Sequence, residues 1–437
     1  ASFARGFTMS AIPLRLGLAG LGTVGTGVVK IVQAHADLIA ARSGRPVTIT
    51  AVSARDPQKN RDADLSAYDW EADPVALARR PDIDLFIEVM GGHEGAAKDA
   101  TLAAIAAGKH VVTANKALLA HHGQTIAEAA EAMGIALRFE AAVAGGIPVI
   151  KALTEGLAGN RIKRVMGVMN GSCNYILTRM QAANLPYETV FEEARQLGYL
   201  EADPNLDVGG IDAGHKLSLL ASIAFGTRVA FDAVELEGIG SVSIDDIRLA
   251  EDMGYRIKLL GVAQMTGRGL EQRMTPCLVP ADSPLGQLQG GTNMVVLEGD
   301  SVGQIVLRGP GAGMGPTASA VMSDVIDIAR GFRLPTFGQP ATSLAAVQPA
   351  KSAAPASYYL RMTLLDKPGA LAKIATCLGD SGVSIDQMRQ YGHQGANAPV
   401  LIVTHKAAPD SVTHAMTRFA ATGVLVGAPV AIRIEEV

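Results

Sequence analysis

Short apolar runs that alternate with alanine-rich helical windows dominate the first third of the chain. Between residue 14 and about residue 140, the runs with the length and composition of buried strands are LRLGLAG, TITAVSA, IDLFIEVM, KHVVTAN and IALRFEAAV. A helical stretch separates each run from the next. Alternation of this kind is typical of strands that run parallel and are joined by crossover helices. The sequence therefore predicts an α/β fold with a doubly wound parallel sheet.

A glycine pattern follows the first predicted strand. Gly20, Gly22 and Gly25 form the spacing GxGxxG at the start of a predicted helix. Glycines at these positions permit a tight turn and let a pyrophosphate approach the helix N-terminus, where unpaired N–H groups favour an anion. Because the strand, the helix and the later alternation agree, we favour a dinucleotide-binding Rossmann domain over a bare glycine-rich turn.

Residues at the end of the second predicted strand bear on the choice between NAD and NADP. An NAD site needs an acidic residue there, but this chain has Ser53 and Arg55, with Lys59 close by. A guanidinium suits a ribose 2'-phosphate and favours NADP, whereas Asp56 keeps NAD possible. A solvated loop charge is an almost equally good interpretation of Arg55 taken alone.

Three further regions follow the predicted Rossmann domain of residues 14–147. Residues 148–332 mix helical stretches with β-rich runs and indicate an α+β substrate-binding and dimerisation domain. Residues 333–356 are rich in Pro, Ala, Ser and Gln without periodicity, as in an extended linker. Residues 357–437 give the order βαββαβ, which predicts a ferredoxin-like domain.

Acidic residues are concentrated in the segment GYLEADPNLDVGGIDAGHKL, residues 198–217. If the stretch after the loop is a helix, Asp212 and Lys216 lie at positions i and i+4 on one face, and Glu201 and Asp207 precede them. A helix-capping loop with a solvated ion pair is the alternative, and we accept it for Asp203. For the others a functional site is favoured, because only 18% of the chain is charged.

Three other residues are candidates on weaker signals. Lys116 follows a predicted strand at the edge where doubly wound sheets bind ligands. Taken alone, a lysine at such a position is more often an ordinary surface residue. Glu140 precedes a glycine-rich turn, and one carboxylate with backbone carbonyls could hold a hard cation. Cys173 precedes a helix and is either a nucleophile or, more commonly, a buried inert thiol.

Composition excludes several classes of protein. The three cysteines are far apart and form no CxxC pair, so a reducing cytoplasm is expected rather than disulfides or zinc. A net charge of -4 without a basic stripe argues against nucleic acid as a partner. No membrane-length apolar run is present, and Arg15 interrupts the opening enough to disfavour a signal peptide. Met9 is the expected natural start.

The chain closely resembles the homoserine dehydrogenases over nearly its whole length from about residue 14. Six blocks match that family in its order: GLGTVGTGVV, VVTANKALLA, FEAAVAGGIPVI, NGSCNYILT, GYLEADPNLDVGGIDAGHKL and GPGAGMGPTASAV. The last eighty residues resemble an ACT domain through LLDKPGALAKIA and GVSIDQM. Two departures are Cys173, where the family usually has threonine, and the absence of the usual proline from GGHEGAA.

The resemblance implies a reversible, NAD(P)H-dependent reduction of L-aspartate 4-semialdehyde to L-homoserine, on the route to threonine, methionine and isoleucine. It implies that Lys216 is the acid/base residue, that Lys116 lies beside the reacting oxygen and that Asp212 is a third catalytic residue. The implied substrate-binding residues are Glu201, Asp207, Asp212, Gly171, Ser172 and Tyr199. The implied cofactor-binding residues are Gly20, Leu21, Gly22, Thr23, Val24, Gly25, Arg55, Thr113, Lys116, Gly198 and Gly313.

Further implications concern a cation, regulation and assembly. Glu140 and the carbonyls of Val143, Gly145 and Ile147 would hold sodium or another monovalent cation. Threonine would inhibit through the ACT domain of a homodimer or homotetramer, and truncation near residue 345 would leave an active, threonine-insensitive enzyme. The alternative is that this domain only dimerises the chain. The regulatory candidates are Asp366, Gly369, Ser384 and Ile385.

Two alternative functions stay open at this point. One is a phosphorylating semialdehyde dehydrogenase with Cys173 as its acylating nucleophile, although no block supplies the required histidine base or phosphate-binding arginines. The other is a non-catalytic amino-acid sensor with a relic Rossmann domain, against which the intact Lys116, Glu201, Asp212 and Lys216 argue.

Overall fold

A computed structural model describes residues 12–392 and 395–437, so Met9 lies outside the described residues. The chain divides into two compact units. The first contains the chain up to Val165 together with Asp212–Val234 and Thr292–Val347. The second contains Met166–Ile211, Glu235–Gly291 and Gln348–Val437. Because each unit is assembled from three segments, the domain boundaries expected from sequence stay a prediction.

Strands and helices account for most of the described chain. The strands are β1 (Leu14–Ala19), β2 (Val47–Ser53), β3 (Asp69–Trp70), β4 (Leu85–Glu88), β5 (His110–Thr113), β6 (Leu137–Arg138), β7 (Ile162–Val168), β8 (Glu235–Leu236), β9 (Tyr255–Thr266), β10 (Gly269–Pro280), β11 (Thr292–Gly299), β12 (Gly303–Pro310), β13 (Ser357–Leu365), β14 (Ile385–Gln390), β15 (Asn397–Thr404) and β16 (Leu425–Ile434). The α-helices are α1 (Thr23–Ala34), α2 (Ala36–Ser43), α3 (Pro74–Arg79), α4 (Ala96–Ala106), α5 (Lys116–Ala132), α6 (Val149–Lys151), α7 (Gly171–Ala183), α8 (Tyr187–Gln196), α9 (Asn205–Val208), α10 (Ile211–Phe225), α11 (Ile244–Asp252), α12 (Met314–Ala329), α13 (Ala370–Asp380) and α14 (Pro409–Ala421). Among the described helices, none combines the length and the apolarity needed to cross a bilayer.

The first unit is built on the predicted parallel sheet. Its strand order in the described chain is β3-β2-β1-β4-β5-β6, and every neighbouring pair is parallel. This order reverses between β1 and β4, and open sheets bind ligands outside the carboxyl ends of their strands at such a point. The doubly wound prediction is confirmed, although the two-residue strand β3 was not predicted.

The strands of this sheet are covered on both faces. Leu16, Leu18, Phe86 and Val112 are fully buried, which is the pattern expected for parallel strands between layers of helices. Helix α12 packs against α1 at Gly27, where a Cβ atom would come within 2.8 Å of Met314. The last helix of the first unit therefore depends on a glycine in its first helix.

The second unit contains the predicted ferredoxin-like domain. Its strands have the order β16-β13-β15-β14, all antiparallel, and helices α13 and α14 bury Ile374 and Phe419 against Leu360 and Ile402. The same sheet continues into the long β9–β10 hairpin, because β16 pairs in parallel with β10. The C-terminal domain is thus part of the second unit's sheet.

Buried charges also join the C-terminal domain to the rest of the second unit. Arg273 on β10 contacts Glu271 and Glu435 at 2.5 Å each, and all three side chains are nearly inaccessible to solvent. Removing one partner of a buried ion pair costs about 3–5 kcal/mol. Truncation near residue 345 would remove Glu435 from this buried cluster, and the expectation that it leaves an active, threonine-insensitive enzyme stays a prediction.

The first part of the predicted linker packs against the rest of the first unit. Phe337 is buried and packs with Phe139 at a ring-centroid distance of 5.4 Å, and the backbone N–H of Ala341 donates to Glu131 at 2.8 Å. The segment, all of which the structure describes, contains no α-helix or strand between Ala329 and Ser357, which agrees with its aperiodic sequence.

Candidate active site

Three glycines lie at the turn between β1 and α1, and they serve two purposes. Gly20 has φ +105°, and Cβ atoms at Gly20 and Gly25 would lie 2.7 Å and 1.8 Å from backbone carbonyl oxygens. A Cβ at Gly22 would meet nothing within 4 Å. Gly20 and Gly25 therefore make the turn possible, whereas Gly22 leaves open the side from which a pyrophosphate can approach the helix N-terminus. Leu21, Thr23 and Val24 complete this turn and the start of α1.

A cavity of about 530 Å³ lies at this turn, at the carboxyl edge of the sheet. Its walls include Gly20–Gly22, the β2 tip from Ser53 to Asp56, and the exposed side chains of Arg55 and Lys59. Arg61 also lines it, but its guanidinium donates to the carbonyls of Leu21 and Asp56 at 3.0 and 2.9 Å. Arg55 and Lys59 are therefore better suited than Arg61 to meet a bound anion.

Glu88, which the sequence analysis did not single out, anchors one wall of this cavity. It is fully buried at the end of β4 and accepts hydrogen bonds from Met90 N at 2.7 Å, Gly91 N at 3.2 Å and Thr113 Oγ1 at 2.7 Å. Thr113, a predicted cofactor residue, is thus linked through Glu88 to the loop that lines the cavity. A buried carboxylate at a strand end was a usable signal in IEVMGG.

Lys116 is placed by the capping of α5. Asn115 accepts from Leu118 N at 3.0 Å as the helix N-cap, and its Nδ2 donates to Gly92 O at 2.6 Å. Lys116 is therefore the first residue of the helix, directly beyond the carboxyl end of β5. This confirms its predicted place at the ligand-binding edge of the sheet.

The carboxylate of Asp212 bridges two lysines. Its Oδ1 lies 2.7 Å from Lys116 Nζ and its Oδ2 lies 2.8 Å from Lys216 Nζ. Asp212 and Lys216 are one turn apart on α10, as predicted, and Asp212 lies in the first turn, where the helix dipole favours an anion. The structure therefore brings together the three residues that the sequence named as catalytic.

Burial and charge act in opposite directions on this carboxylate. Burial would raise the pKa of Asp212, but the ammonium groups of Lys216 and Lys116 outweigh it and hold the pKa well below its usual range. His215, between Asp212 and Lys216 in the sequence, is buried, and burial with neighbouring His121 lowers its pKa to about 4. The imidazole is thus neutral and does not compete for Asp212 as a cation.

The other predicted substrate residues belong to the second unit. Asp207 is buried and accepts from Asn170 Nδ2 at 3.1 Å and from Glu201 N at 2.8 Å. Ser172 Oγ donates to Tyr199 O at 2.5 Å. Within this unit, Asp207 therefore orders the loop that carries Glu201, and Ser172 fixes the backbone at Tyr199.

A buried lysine supports Gly171 at the start of α7. A Cβ atom on Gly171 would lie 2.6 Å from Gly291 O, so the two segments touch through backbone atoms. Lys258 Nζ donates to Asn174 Oδ1 at 3.0 Å and to Leu288 O, and burial lowers its pKa to about 8. Sequence reasoning missed Lys258, since a lysine in the apolar run RIKLLG is not distinctive.

Cys173 has the environment of a structural thiol. It is fully buried, and its Sγ donates to Asp207 O at 3.3 Å. An acylating nucleophile must be reached by substrate, so this burial argues against the cysteine-dependent alternative.

Glu140 stands in a buried polar cluster of the first unit. Its carboxylate accepts from Ile150 N at 3.0 Å and Lys151 N at 2.8 Å, and burial with the nearby Asp324 raises its pKa to about 7. Ala144 and Gly145 both have left-handed backbone in the turn that follows. In the described residues no three His, Cys, Asp or Glu side chains converge on a metal, so oxygen ligands here would be mainly carbonyls such as those of Val143 and Ile147.

The two remaining predicted cofactor residues are glycines with left-handed φ. Gly198 has φ +73° in the second unit, and Gly313 has φ +121° before α12 in the first. Both conformations favour glycine over any other residue.

The regulatory candidates do not form one cluster within a chain. Asp366 and Gly369 follow β13, whose Leu365 pairs with Asn397, whereas Ser384 and Ile385 open β14, where Ile385 pairs with Thr404. Seven residues of β15 separate the two pairing points, a distance of roughly 23 Å along the strand. The two pairs of residues are therefore far apart within one chain, because β13 and β14 run in the same direction with β15 between them. The expected site at an interface between two ACT domains stays a prediction.

Family sequence profiles match most of the chain. Residues 20–140 match "Homoserine dehydrogenase, NAD binding domain", residues 148–326 match "Homoserine dehydrogenase", and residues 358–423 match "ACT domain". The homoserine dehydrogenase of Pseudomonas aeruginosa is 42% identical over 97% of this chain and 99% of its own length.

The chain belongs to the homoserine dehydrogenase family. It is an oxidoreductase with a nicotinamide cofactor, and the predicted function is confirmed at this level, against both the sensor and the cysteine-dependent alternatives. The crystal structure of a homoserine dehydrogenase from Thiobacillus denitrificans superposes with a TM-score of 0.92 at 39% identity, covering 98% of this chain and 99% of that one. A hyperthermophilic archaeal homoserine dehydrogenase in complex with NADPH is 25% identical with a TM-score of 0.64, over 74% of this chain and 99% of that one.

Replacing either lysine that binds Asp212 tests the site. Lys116→Met and Lys216→Met should each lower kcat for homoserine oxidation by roughly 10²–10⁴, the range for losing a positioned acid/base group. Lys163→Met, on the exposed side of β7, is the matched control and should keep wild-type kcat. Wild-type kcat in both site variants, with folding verified by circular dichroism, would show that neither ammonium takes part.

Proposed function

We propose that this protein catalyses the reversible NADPH-dependent reduction of L-aspartate 4-semialdehyde to L-homoserine. The carboxylate of Asp212, held between Lys116 and Lys216 at 2.7 and 2.8 Å, is the observation that carries the proposal. It keeps two ammonium groups together at the carboxyl edge of a dinucleotide-binding sheet, where an aldehyde oxygen needs both charge stabilisation and a proton.

The two lysines divide this work. When bound, the nicotinamide supplies the hydride to the aldehyde carbon during reduction and accepts it from the alcohol carbon during oxidation. Lys216 gives its proton to the developing alkoxide, and Lys116 stabilises the same oxygen by its charge. Asp212 remains ionised because its pKa is held low, so it positions both ammonium groups without competing for the proton.

Carboxylates of the second unit recognise the substrate's own ammonium group. We assign this role to Glu201 and Asp207, with Gly171, Ser172 and Tyr199 as further substrate contacts. The support is the buried position of Asp207, which accepts from Glu201 N, and the backbone contact that only glycine permits at position 171. Burying a charged substrate group stabilises the complex only when that group is fully paired.

The cofactor is NADP rather than NAD. Arg55 and Lys59 are exposed cationic side chains in the wall of the cofactor cavity, and Ser53 replaces the acidic residue that would accept from a ribose 2'-hydroxyl. The archaeal relative was solved with NADPH, which supports the same preference here. Gly198 and Gly313 are included in the proposed cofactor site.

Reversing the charge at position 55 tests both the reaction and the cofactor. The wild-type protein should reduce NADP+ in the presence of L-homoserine, which is followed by absorbance at 340 nm. Arg55→Asp should shift the NADP/NAD ratio of kcat/KM toward NAD by about tenfold or more. The new carboxylate repels the 2'-phosphate of NADP and accepts a hydrogen bond from the 2'-hydroxyl of NAD. Arg308→Asp makes the same charge change at an exposed site outside the cavity.

The outcomes separate the two ideas. No homoserine-dependent reduction of either nucleotide by folded protein would contradict the proposed reaction. Normal activity with an unchanged ratio in Arg55→Asp would contradict only the NADP assignment.

A monovalent cation, typically sodium, is proposed at Glu140. The donor chemistry fits, because one buried carboxylate and the carbonyls of Val143, Gly145 and Ile147 are all hard oxygen ligands. Burial and the nearby Asp324 raise the pKa of Glu140 to about 7, and a bound cation would favour the ionised carboxylate. The cation would hold the turn after Glu140 and take no part in proton transfer.

The raised pKa predicts a pH-dependent effect of sodium on stability. Between the unfolded pKa of about 4.3 and the folded pKa of about 7, the folded state keeps a proton that the unfolded state has lost, so this residue's contribution to stability falls as pH rises. Because the cation needs the ionised carboxylate, sodium should raise Tm more at pH 8 than at pH 5.5, relative to tetramethylammonium chloride.

Glu140→Gln should abolish this difference between salts, and Glu188→Gln, an exposed control, should retain it. An equal sodium effect at both pH values in the wild-type protein would contradict a cation at Glu140.

Threonine is the proposed effector, acting through the ACT domain of a homodimer or homotetramer. The support within one chain is a polar connection from ACT strand β13 to α11. Asp246, fully buried on α11, accepts from Tyr359 Oη at 3.2 Å and from the guanidinium of Arg361. Helix α11 in turn packs on α7, which begins at Gly171. A ligand that favours one position of β13 therefore has a contiguous route to the substrate-binding helix.

Two point variants distinguish threonine binding from its coupling to catalysis. Asp366→Ala should weaken both threonine binding and inhibition, because it changes the turn before α13, and Asp410→Ala on exposed α14 should change neither. Arg361→Met should keep threonine binding by calorimetry but reduce inhibition, since it breaks the contact with Asp246. Wild-type activity unaffected by millimolar threonine would contradict the regulatory proposal.

A cytoplasmic location is also proposed. It is supported by the three buried thiols, none of which forms a disulfide, as in proteins of reducing compartments.

A further inference from the structure

A second cavity, of about 280 Å³, lies at the amino edge of the six-stranded sheet, opposite the cofactor cavity. Its walls include Leu14, where β1 begins, His110, where β5 begins, and Asp84, which directly precedes β4. Arg45, Lys109 and Arg333 also line it. None of these residues belongs to the proposed active site.

Positive charge predominates in this amino-edge cavity. The carboxylate of Asp84 is already engaged by Arg15, whose Nε and Nη2 lie 3.1 and 2.9 Å from its two oxygens. In the described part of the chain, Arg45, Lys109 and Arg333 make no ion pair with a carboxylate. Their hydrogen bonds to protein acceptors go to backbone carbonyls, namely those of Ile12, Pro13, Ile83, Ile328 and Phe332.

In this cavity a hydrogen-bond donor of His110 faces a second donor, the guanidinium of Arg333. The backbone N–H of Ala136 donates to His110 Nδ1 at 3.0 Å, so Nδ1 carries no proton and the neutral ring is protonated on Nε2. That Nε2 lies 3.0 Å from Nη2 of Arg333, which is itself a donor. The alternative tautomer only moves the conflict to the Ala136 N–H. Burial and the charge of Arg333 lower the pKa of His110 to about 4, so the ring is neutral at physiological pH.

Two adjacent donors without an acceptor between them are satisfied by an acceptor oxygen that both can reach. The cavity has room for such an oxygen. The positive charges of Arg45, Lys109 and Arg333 in its wall favour an anion over a water molecule at this position.

We infer that the amino-edge cavity binds a small oxyanion of the phosphate type, through His110 Nε2 and the guanidinium of Arg333, with Lys109 and Arg45 balancing its charge. The site is separate from the ribose 2'-phosphate position near Arg55, which lies at the carboxyl edge of the same sheet. The inference is independent of the proposed function, because none of its residues takes part in the reaction.

Calorimetry and thermal unfolding with inorganic phosphate test this site on the full-length protein. The titration is made with saturating NADP+, which blocks phosphate binding in the cofactor cavity, and with chloride at matched ionic strength. Wild-type protein should bind about one phosphate per chain and show a Tm that rises with phosphate and saturates. Arg333→Gln should weaken phosphate binding about tenfold or more, because it removes a charge-assisted donor.

Two further variants make the result decisive. Lys109→Gln should also weaken binding and covers the case in which Arg333→Gln fails to fold, while Arg308→Gln, an exposed arginine of the same unit, should bind like wild type. Homoserine oxidation in phosphate-free buffer should be unchanged in Arg333→Gln and Lys109→Gln. Phosphate binding that disappears with NADP+, or that is equal in wild type and both site variants, would overturn the inference.

Discussion

The carboxylate of Asp212 is the interaction on which the catalytic arrangement depends. Two ammonium groups would repel each other at this separation, and a buried anion between them converts that repulsion into two short ion pairs. The fold supplies the geometry, since Asn115 caps the helix that begins at Lys116 and α10 sets Asp212 one turn from Lys216. Loss of this one charge would affect the position of both lysines, whereas loss of one lysine leaves the other pair in place.

Local features of the sequence were sufficient to predict much of this site. The glycine spacing gave the dinucleotide turn, helical periodicity gave the Asp212–Lys216 pair, and the strand-tip position of Lys116 followed from the alternation of elements. The pairing of Lys116 with Asp212 was beyond local reasoning, because it depends on how two helices distant in sequence meet. The position of Glu88 at the end of an apolar strand was visible in the sequence, but its hydrogen bonds with Thr113 and with the loop after β4 depend on the fold.

Long-range sheet pairing determines the features of the second unit that the sequence could not predict. The order βαββαβ was predicted correctly, but the separation of Asp366 from Ser384 follows from register, which composition does not specify. The pairing of β16 with β10 and the buried contacts of Arg273 likewise make the C-terminal domain integral to the second unit. Proline- and alanine-rich composition predicted a linker between residues 333 and 356, and the burial of Phe337 and Ala341 within it is a detail that composition does not specify.

A double-mutant cycle between Asp212 and Lys116 tests most directly the claim that one carboxylate positions the lysines. The measurement is kcat for homoserine oxidation in wild type, Asp212→Asn, Lys116→Met and the double variant, each at saturating substrate and cofactor. Because both single changes disrupt the same contact, the double variant should lose little more than the worse single variant. Losses that multiply in the double variant would show that Asp212 and Lys116 act independently and would contradict this account.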